Sequence, residues 1–386
     1  MLFRQDLEKY KTPAGLYIPK QIWASLRATY SDIGLAQLLC DTMKGLPVPW
    51  SDIPEDKAIL SFQRLKKTPL SGLLEHGPLA LLRSPKTTQP NYHITLRPPG
   101  NKASGYLFTK ERWKTPKVSS PSVLQRWNDD SLRLQACKKY LCLKECDQMT
   151  PALFRGALCV TGATPAQFKP GAAKAVYELL QSEHVLDFSA GWGDRAVGFC
   201  AASNTKTYVG VDPNLELHPL YAQLKKLYGG TKQLCFIPEC AEDVFLFPNS
   251  VDTVFSSPPY FGVEQYAHGS DHQQKQSWRR HPTPQQWKEG FLVPMLRKMW
   301  DVLIPGGFLA INIADITVKG VHYPLCEWMQ QTVNSFSGAH FHFALGMRLQ
   351  GSNYKTETKK AVSGEPIWIW SKGPSRCQLP TENPGA

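Results

Sequence analysis

The 386-residue sequence predicts an α/β fold, with a mostly parallel sheet over residues 151–372 behind an N-terminal accessory region. Three observations predict it. A buried strand from His184 to Phe188 runs into a glycine turn at Gly191 and Gly193 and then into a helix from Asp194, the strand–turn–helix order that places a ligand at the carboxyl ends of an open α/β sheet. Strand and helix then alternate regularly from 184 to 256, and successive βαβ units build a right-handed parallel sheet. Finally, the apolar run Val251, Val254, Phe255 stops at S-S-P-P-Y-F, residues 256–261. Proline fixes φ and extends the residue before it, so this loop is stiff and leaves carbonyl oxygens without helical partners.

Composition sets the outer limits. A hydrophobic content of 42% with 11 Trp is ample for a two-domain core. No stretch of about 18 apolar residues occurs, so no transmembrane helix is expected. The opening M-L-F-R-Q-D-L-E-K-Y lacks a signal peptide's apolar segment. The expected location is intracellular: the nucleus in a eukaryote, the cytoplasm otherwise. The ten cysteines then read as reduced thiols. Cys142 and Cys146 have a spacing zinc accepts, but no second close pair follows, and with Cys137 they read as helix-face residues. His268, His272 and His281 have no fixed geometry either, and no metal is expected. The net charge of +12 is uneven: residues 61–150 carry 16 Lys or Arg against 6 Asp or Glu, whereas residues 151–386 carry 21 against 19. A basic block beside a nearly neutral body suits binding to a phosphate backbone.

Taken in order, residues 1–80 read as short helices of the accessory region. Gln21 to Met43 carries Ile22, Leu26, Ile33, Leu35, Leu38 and Leu39 at helical spacing, and Pro47, Pro49 and Pro54 mark a loop. In residues 83–121, Tyr106, Phe108 and Trp113 interleave with Lys102, Lys110, Arg112, Lys114 and Lys117. That mixture suits backbone neutralisation with base stacking, and equally a lid or linker. A helical pattern from Pro121 bridges to the catalytic body, which begins near Pro151. There an extended T-P-A-Q-F-K-P, residues 164–170, precedes a helix from Gly171 to Gln181.

Further strands are expected at Thr207 to Val211, at Gln233 to Ile237 and up to Phe255. The first of these leads into Asp212, whose carboxylate can accept from both hydroxyls of a ribose; the second is followed by Glu242 and Asp243. Past the proline loop, Gly262 to Gln286 is long and polar, with Arg279 and Arg280 adjacent, and reads as a lid or substrate loop. A helix from Trp287 to Leu303, a fifth strand from Gly306 to Ile313, a helix over 323–335 and strands over 341–350 and 366–371 follow. Between the last two, Tyr354, Lys355, Lys359 and Lys360 are placed to touch a nucleic acid. Gly373 onward is expected to be disordered.

The four residues Ser257, Pro258, Pro259 and Tyr260 resemble the Ser-Pro-Pro-Tyr motif of S-adenosylmethionine-dependent amino-methyltransferases, which methylate the exocyclic amine of cytosine or adenine. The turn D-F-S-A-G-W-G, with Asp187, Ser189, Gly191 and Gly193, is similar to the first motif of the same enzymes. It also satisfies G-x-G-x-x-G/A through Ala196, so spacing leaves a nicotinamide or flavin cofactor open, and the proline loop decides. Covering residues 151–371, the resemblance implies a Rossmann-like class I methyltransferase. Its seven-stranded, mostly parallel sheet ends in a C-terminal antiparallel hairpin, and its cofactor is S-adenosyl-L-methionine.

By the same resemblance, Phe168 and Pro170 cover the cofactor's methionine end. Asp187 serves its amine directly or through neighbouring backbone, Asp212 its ribose, and Glu242 or Asp243 its adenine amine. Ser257 and the Pro258 carbonyl hold the target amine, and Tyr260 stacks on a flipped base. Serine in the motif's first position is commoner in N4-cytosine enzymes, whereas this order of motifs is shared by many adenine enzymes. The expected activity is methylation of DNA cytosine N4, with DNA or RNA adenine N6 as the alternative. A protein amide as substrate, or a non-catalytic nucleic-acid-binding protein with this fold, are the rivals. The family of cytosine-C5 enzymes carries its nucleophile in a Pro-Cys dipeptide, which is absent. DNA is the first expected partner and RNA the second, through Lys110, Arg112, Trp113, Lys114, Lys117, Arg279, Arg280, Tyr354 and Lys355.

Overall fold

The computed structural model describes residues 5–77, 80–81, 91–143, 147–160, 164–348, 361–362 and 364–379. Tyr354, Lys355, Lys359 and Lys360 lie outside the described residues. Contacts divide the chain into two units: Met1–Asp52 with Thr109–Ala166 and Glu264–His268, and Ile53–Phe108 with Gln167–Val263 and Gly269–Ala386.

The first unit is helical. Lys20–Thr29, Asp32–Met43, Asp130–Leu141 and Pro151–Val160 turn their apolar stripes onto one core containing Trp23, Leu39, Trp127, Tyr140 and Phe154. Ser31 starts one helix by accepting from Gly34 N at 3.2 Å, and Ser122 with Gln125 forms a capping box on another. Trp113, expected to stack on bases, belongs to this core: it is 4% exposed, with its ring 5.6 Å from that of Trp50. Its apolar area is worth more buried than it is beside the lysines that flank it in sequence.

The second unit holds a nine-stranded sheet. Its strands are β1 (Leu74–His76), β2 (Tyr92–Ile94), β3 (His184–Asp187), β4 (Thr207–Val211), β5 (Gln233–Ile237), β6 (Val251–Ser256), β7 (Leu303–Asn312), β8 (Ala339–Arg348) and β9 (Gly364–Lys372). They lie side by side in the order β1-β2-β8-β9-β7-β6-β3-β4-β5. Strands β3 to β7 are mutually parallel, and β9 runs antiparallel to both β7 and β8. The buried apolar runs of β6 and β7 need cover on both faces, as parallel strands do. Helices Pro170–Leu179, Asp194–Ala201 and His218–Tyr228 supply one face through Val176, Phe199 and Leu224. Helices Val293–Val302 and Leu325–Asn334 supply the other through Met295, Met299 and Met329.

The expected seven strands and terminal hairpin are therefore present, with two more. Strand β2 adds in parallel to β8, His93 opposite Gly346 and Ile94 opposite Met347, and β1 pairs antiparallel with β2. Both come from sequence assigned to the accessory region. The expected boundary at 151 is thus corrected: Ile53–Phe108 belongs with the sheet, whereas Thr109–Ala166 does not. Packing shows the same, since a Cβ on Gly171 would lie 2.5 Å from Pro98. The tail is also more ordered than expected up to residue 379. Arg376 donates to the carbonyls of Leu180 (2.9 Å) and Gln181 (2.7 Å) and to Asp252 (3.0 Å). Residues 380–386 lie outside the described residues. Among the described residues no helix is long and apolar enough to cross a membrane.

Candidate active site

An open parallel sheet binds ligands where the strand order reverses, because the connections on either side diverge there and leave a crevice at the carboxyl ends. In this sheet the reversal lies between β3 and β6. The chain passes from β3 outward to β4 and β5, then returns to the other side of β3 as β6. The two strands are in register, Val185 with Thr253 and Leu186 with Val254, so both end on the same edge. One hydrogen bond fastens the ends together: the Ser256 hydroxyl donates to Asp187 Oδ1 at 2.6 Å.

Asp187 is fully buried. Besides Ser256 it accepts from Arg195 Nε at 2.9 Å, from the Tyr208 hydroxyl at 2.6 Å and from Ser189 N at 3.3 Å. Arg195 Nη2 also donates to the Ser189 carbonyl. Burial, the largest single influence, would lower the guanidinium's pKa, but the Asp187 charge and hydrogen bond together with the Tyr208 and Tyr177 oxygens outweigh it, and the net direction is up. Burial, and then Asp187, push the Tyr208 phenol well up. With these partners the carboxylate is enclosed by protein.

The two glycines of the turn are required for different reasons. Gly191 has φ +54°, and a Cβ there would meet only the Ser189 carbonyl oxygen, at 3.7 Å, so the backbone faces open space. Gly193 has φ +68°, and a Cβ would collide with Phe108 at 2.7 Å and Leu224 at 2.8 Å. Close approach of a ligand is thus possible at Gly191, while Gly193 serves packing and the start of Asp194–Ala201. Phe168 lies with its ring 5.9 Å from that of Phe255 and beneath the Arg195 guanidinium at 5.3 Å. Pro170 is buried as the first residue of its helix.

Asp212 leads from β4 to the same edge and accepts from Gly191 N at 2.8 Å and Asn214 N at 2.9 Å. Each oxygen keeps a further lone pair for a diol, and burial raises the carboxyl's pKa. Beyond β5, Glu242 and Asp243 are both held by Arg280, at 2.7 and 2.8 Å. Two candidates for the adenine amine are therefore ion-paired with a candidate nucleic-acid contact. Arg279 is exposed, over the Trp278 ring at 5.5 Å.

Past Ser256, the Ser257 and Pro259 side chains are half-buried and Pro258 is buried. The Tyr260 hydroxyl reaches Glu365 Oε2 at 3.3 Å and the Asn312 carbonyl at 3.5 Å. In the first unit, Lys110 lies 3.8 Å from Asp52 and over the Trp50 ring at 5.9 Å. Lys114 pairs with Glu111 at 2.8 Å, and Lys117 with Glu264 at 3.9 Å. Arg112 is half-buried. Part of the basic surplus is therefore answered locally.

Sequence reasoning missed Arg195, Tyr208, Ser256 and Glu365. The first carried a signal, since a cation directly before the apolar A-V-G-F stretch of a helix lying on a sheet must find a buried partner.

No protein-family model matches the chain, and no curated protein sequence does either. Solved structures do resemble it. TrmN from Thermus thermophilus is 18% identical over 54% of this chain and 51% of its own, with a TM-score of 0.36, so the match spans about half of that protein. A putative rRNA-methylase from Clostridium thermocellum is 11% identical over 54% of this chain and 98% of its own (TM-score 0.35). A SAM-dependent O-methyltransferase from Thermotoga maritima is 13% identical over 57% and 72% (TM-score 0.33). The strand order and directions described above make the second unit a Rossmann-like α/β domain with the class I methyltransferase sheet.

Proposed function

We propose that this chain is an S-adenosylmethionine-dependent methyltransferase acting on the exocyclic amine of a nucleic-acid base, with cytosine N4 in DNA as its target. The reading rests on the 2.6 Å bond from Ser256 to Asp187, because it ties the glycine turn and the proline loop to one end of the sheet. Bound at the turn, S-adenosylmethionine supplies an electrophilic methyl carbon on a sulfonium. The open backbone at Gly191 and the spare lone pairs of Asp212 suit its nucleoside, and Phe168 with Pro170 suits its methionine end. Glu242 or Asp243 takes the adenine amine, and Ser189 N–H and C=O, held by Asp187 and Arg195, border the site.

An aromatic amine is a poor nucleophile because its lone pair is delocalised into the ring. Ser257 Oγ and the Pro258 carbonyl accept its two hydrogens and so favour a pyramidal, more reactive nitrogen. Pro259 keeps that carbonyl fixed, and Tyr260 offers its ring to a flipped base. Lys110, Arg112, Lys114 and Lys117 in the first unit, and Arg279 and Arg280 in the second, each carry charge of the sign a phosphate backbone requires, and binding would draw Lys110, Lys114, Lys117 and Arg280 from the carboxylates they now face. An intracellular site of action follows from that substrate.

The test is mass spectrometry of nucleosides from DNA and RNA incubated with the protein and isotopically labelled cofactor. Labelled N4-methylcytosine in DNA is the expected product. N6-methyladenine would reassign the base, label confined to RNA would reassign the polymer, and label in neither would overturn the reading.

Asp212 gives a pH prediction. Its carboxyl pKa is raised by burial, so it protonates at a higher pH than an ordinary aspartate and then loses an acceptor. Cofactor affinity should be full above that pKa and fall as pH drops through it. Asp212→Asn should weaken binding by about 10- to 100-fold at neutral pH and flatten the pH dependence, as calorimetry would read.

A further inference from the structure

Phe168 can cover the methionine end of a cofactor only if its distance from the glycine turn is fixed. The two come from segments separated by a whole helix and a strand, so backbone alone does not fix it. The residues on either side of Phe168 do. Gln167 Nε2 donates to Asp194 Oδ1 at 2.9 Å, to Ser104 Oγ at 2.8 Å and to the Asn101 carbonyl at 3.1 Å. Lys169 is buried and donates from Nζ to the Leu96 carbonyl at 3.1 Å and to that of Arg348.

Asp194 is the first residue of the helix that follows Gly193, and it is 3% exposed. The helix N-terminus favours a carboxylate there, but a buried one still needs donors. Ser104 Oγ and Gln167 Nε2 both donate to its Oδ1. Ser104 stands in the helix Asn101–Lys114, and one turn later that helix places Phe108 where a Cβ on Gly193 would meet it at 2.7 Å. Ser104, Phe108, Gln167 and Asp194 all belong to the second unit.

The geometry points to Gln167 as a positioning residue for the methionine end of the cofactor. Its amide clasps the Phe168 segment to Asp194, directly beyond the glycine turn. Ser104 completes the clasp from a stretch of sequence read as accessory. Because the acceptor is a carboxylate, the bond is stronger than one between neutral groups and holds the spacing more firmly. The role rests on the methyltransferase reading and deepens it: the methionine end depends on this clasp, whereas the nucleoside, at Gly191 and Asp212, does not.

Calorimetry with two ligands tests it. S-adenosylhomocysteine carries the methionine end; 5′-methylthioadenosine keeps the nucleoside and sulfur but lacks the amine and carboxylate. Gln167→Glu sets a carboxylate against Asp194 and should weaken S-adenosylhomocysteine binding by about tenfold or more, with the methylthioadenosine Kd changed by less than about twofold. Adding Asp194→Asn to Gln167→Glu restores a matched donor and acceptor and should recover S-adenosylhomocysteine binding to within about threefold of the parent chain, because the two positions act as one unit. Gln167→Ala, which cannot repel Asp194, carries the same ligand comparison should Gln167→Glu not fold. The inference is overturned if the Gln167 variants bind S-adenosylhomocysteine as the parent does, or if both ligands weaken by the same factor, which is what a general loosening of the turn would give. It is equally overturned if the double variant is no better than Gln167→Glu. A parent chain that binds neither ligand removes the methyltransferase reading and this inference together; a parent that binds both, with indifferent Gln167 variants, removes the inference alone.

Discussion

Ser257→Ala should cut kcat by about 100- to 1,000-fold, the size of effect seen when one preorganised polar contact to a reacting group is removed. Cofactor affinity should change by less than about twofold, because uniform binding and transition-state contacts are separate losses. Ser257 lies past the end of β6, whereas the residue that fastens the strand to the glycine turn is its neighbour Ser256, through the Asp187 bond. The substitution therefore removes an acceptor for the amine and leaves that bond alone. Single-turnover kinetics beside calorimetry will separate the two quantities, and equal losses in both would contradict the assigned role.

Arg195→Met should destabilise the protein by about 3–5 kcal/mol, the cost of leaving one member of a buried ion pair without the other. Asp187 has no solvent to turn to, and Tyr208, Ser256 and Ser189 N offer hydrogen bonds but no compensating charge. Urea denaturation followed by tryptophan fluorescence is the measurement. A second substitution, Asp187→Asn, should give back part of the loss, since residues in one network do not add. If Arg195→Met unfolds at the parent's midpoint, the pair contributes nothing and the account of the turn is wrong.

The centre of the sheet was legible because its signals are local. The β3 strand, the turn at Gly191 and Gly193, and the proline loop each declare themselves within a few residues, and the α/β alternation orders them. What was not legible depends on partners far away in sequence. Trp113 sits among lysines, and nothing local says that Trp50 will cover it. Strands β1 and β2 are three residues each, too short for period-two alternation to stand out, and only the pairing of β2 with β8 and of β1 with β2 defines them. The tail looked unstructured by composition, yet Arg376 reaches carbonyls at 180 and 181. Asp187 stood out by its place before the glycine turn, but the donors that occupy it come from β4, β6 and the following helix, and no spacing rule connects them.

The pairing of β2 with β8 has a consequence for how the chain can be divided. Cut just before Pro151, the remainder would keep every strand from β3 onward but lose the neighbour that now occupies the backbone of Gly346 and Met347. A bare strand margin invites pairing with other molecules, so such a fragment should precipitate or self-associate where the whole chain does not. The front of this protein is not a detachable cartridge; any lineage or engineer replacing it must supply a new hem for the fabric it leaves behind.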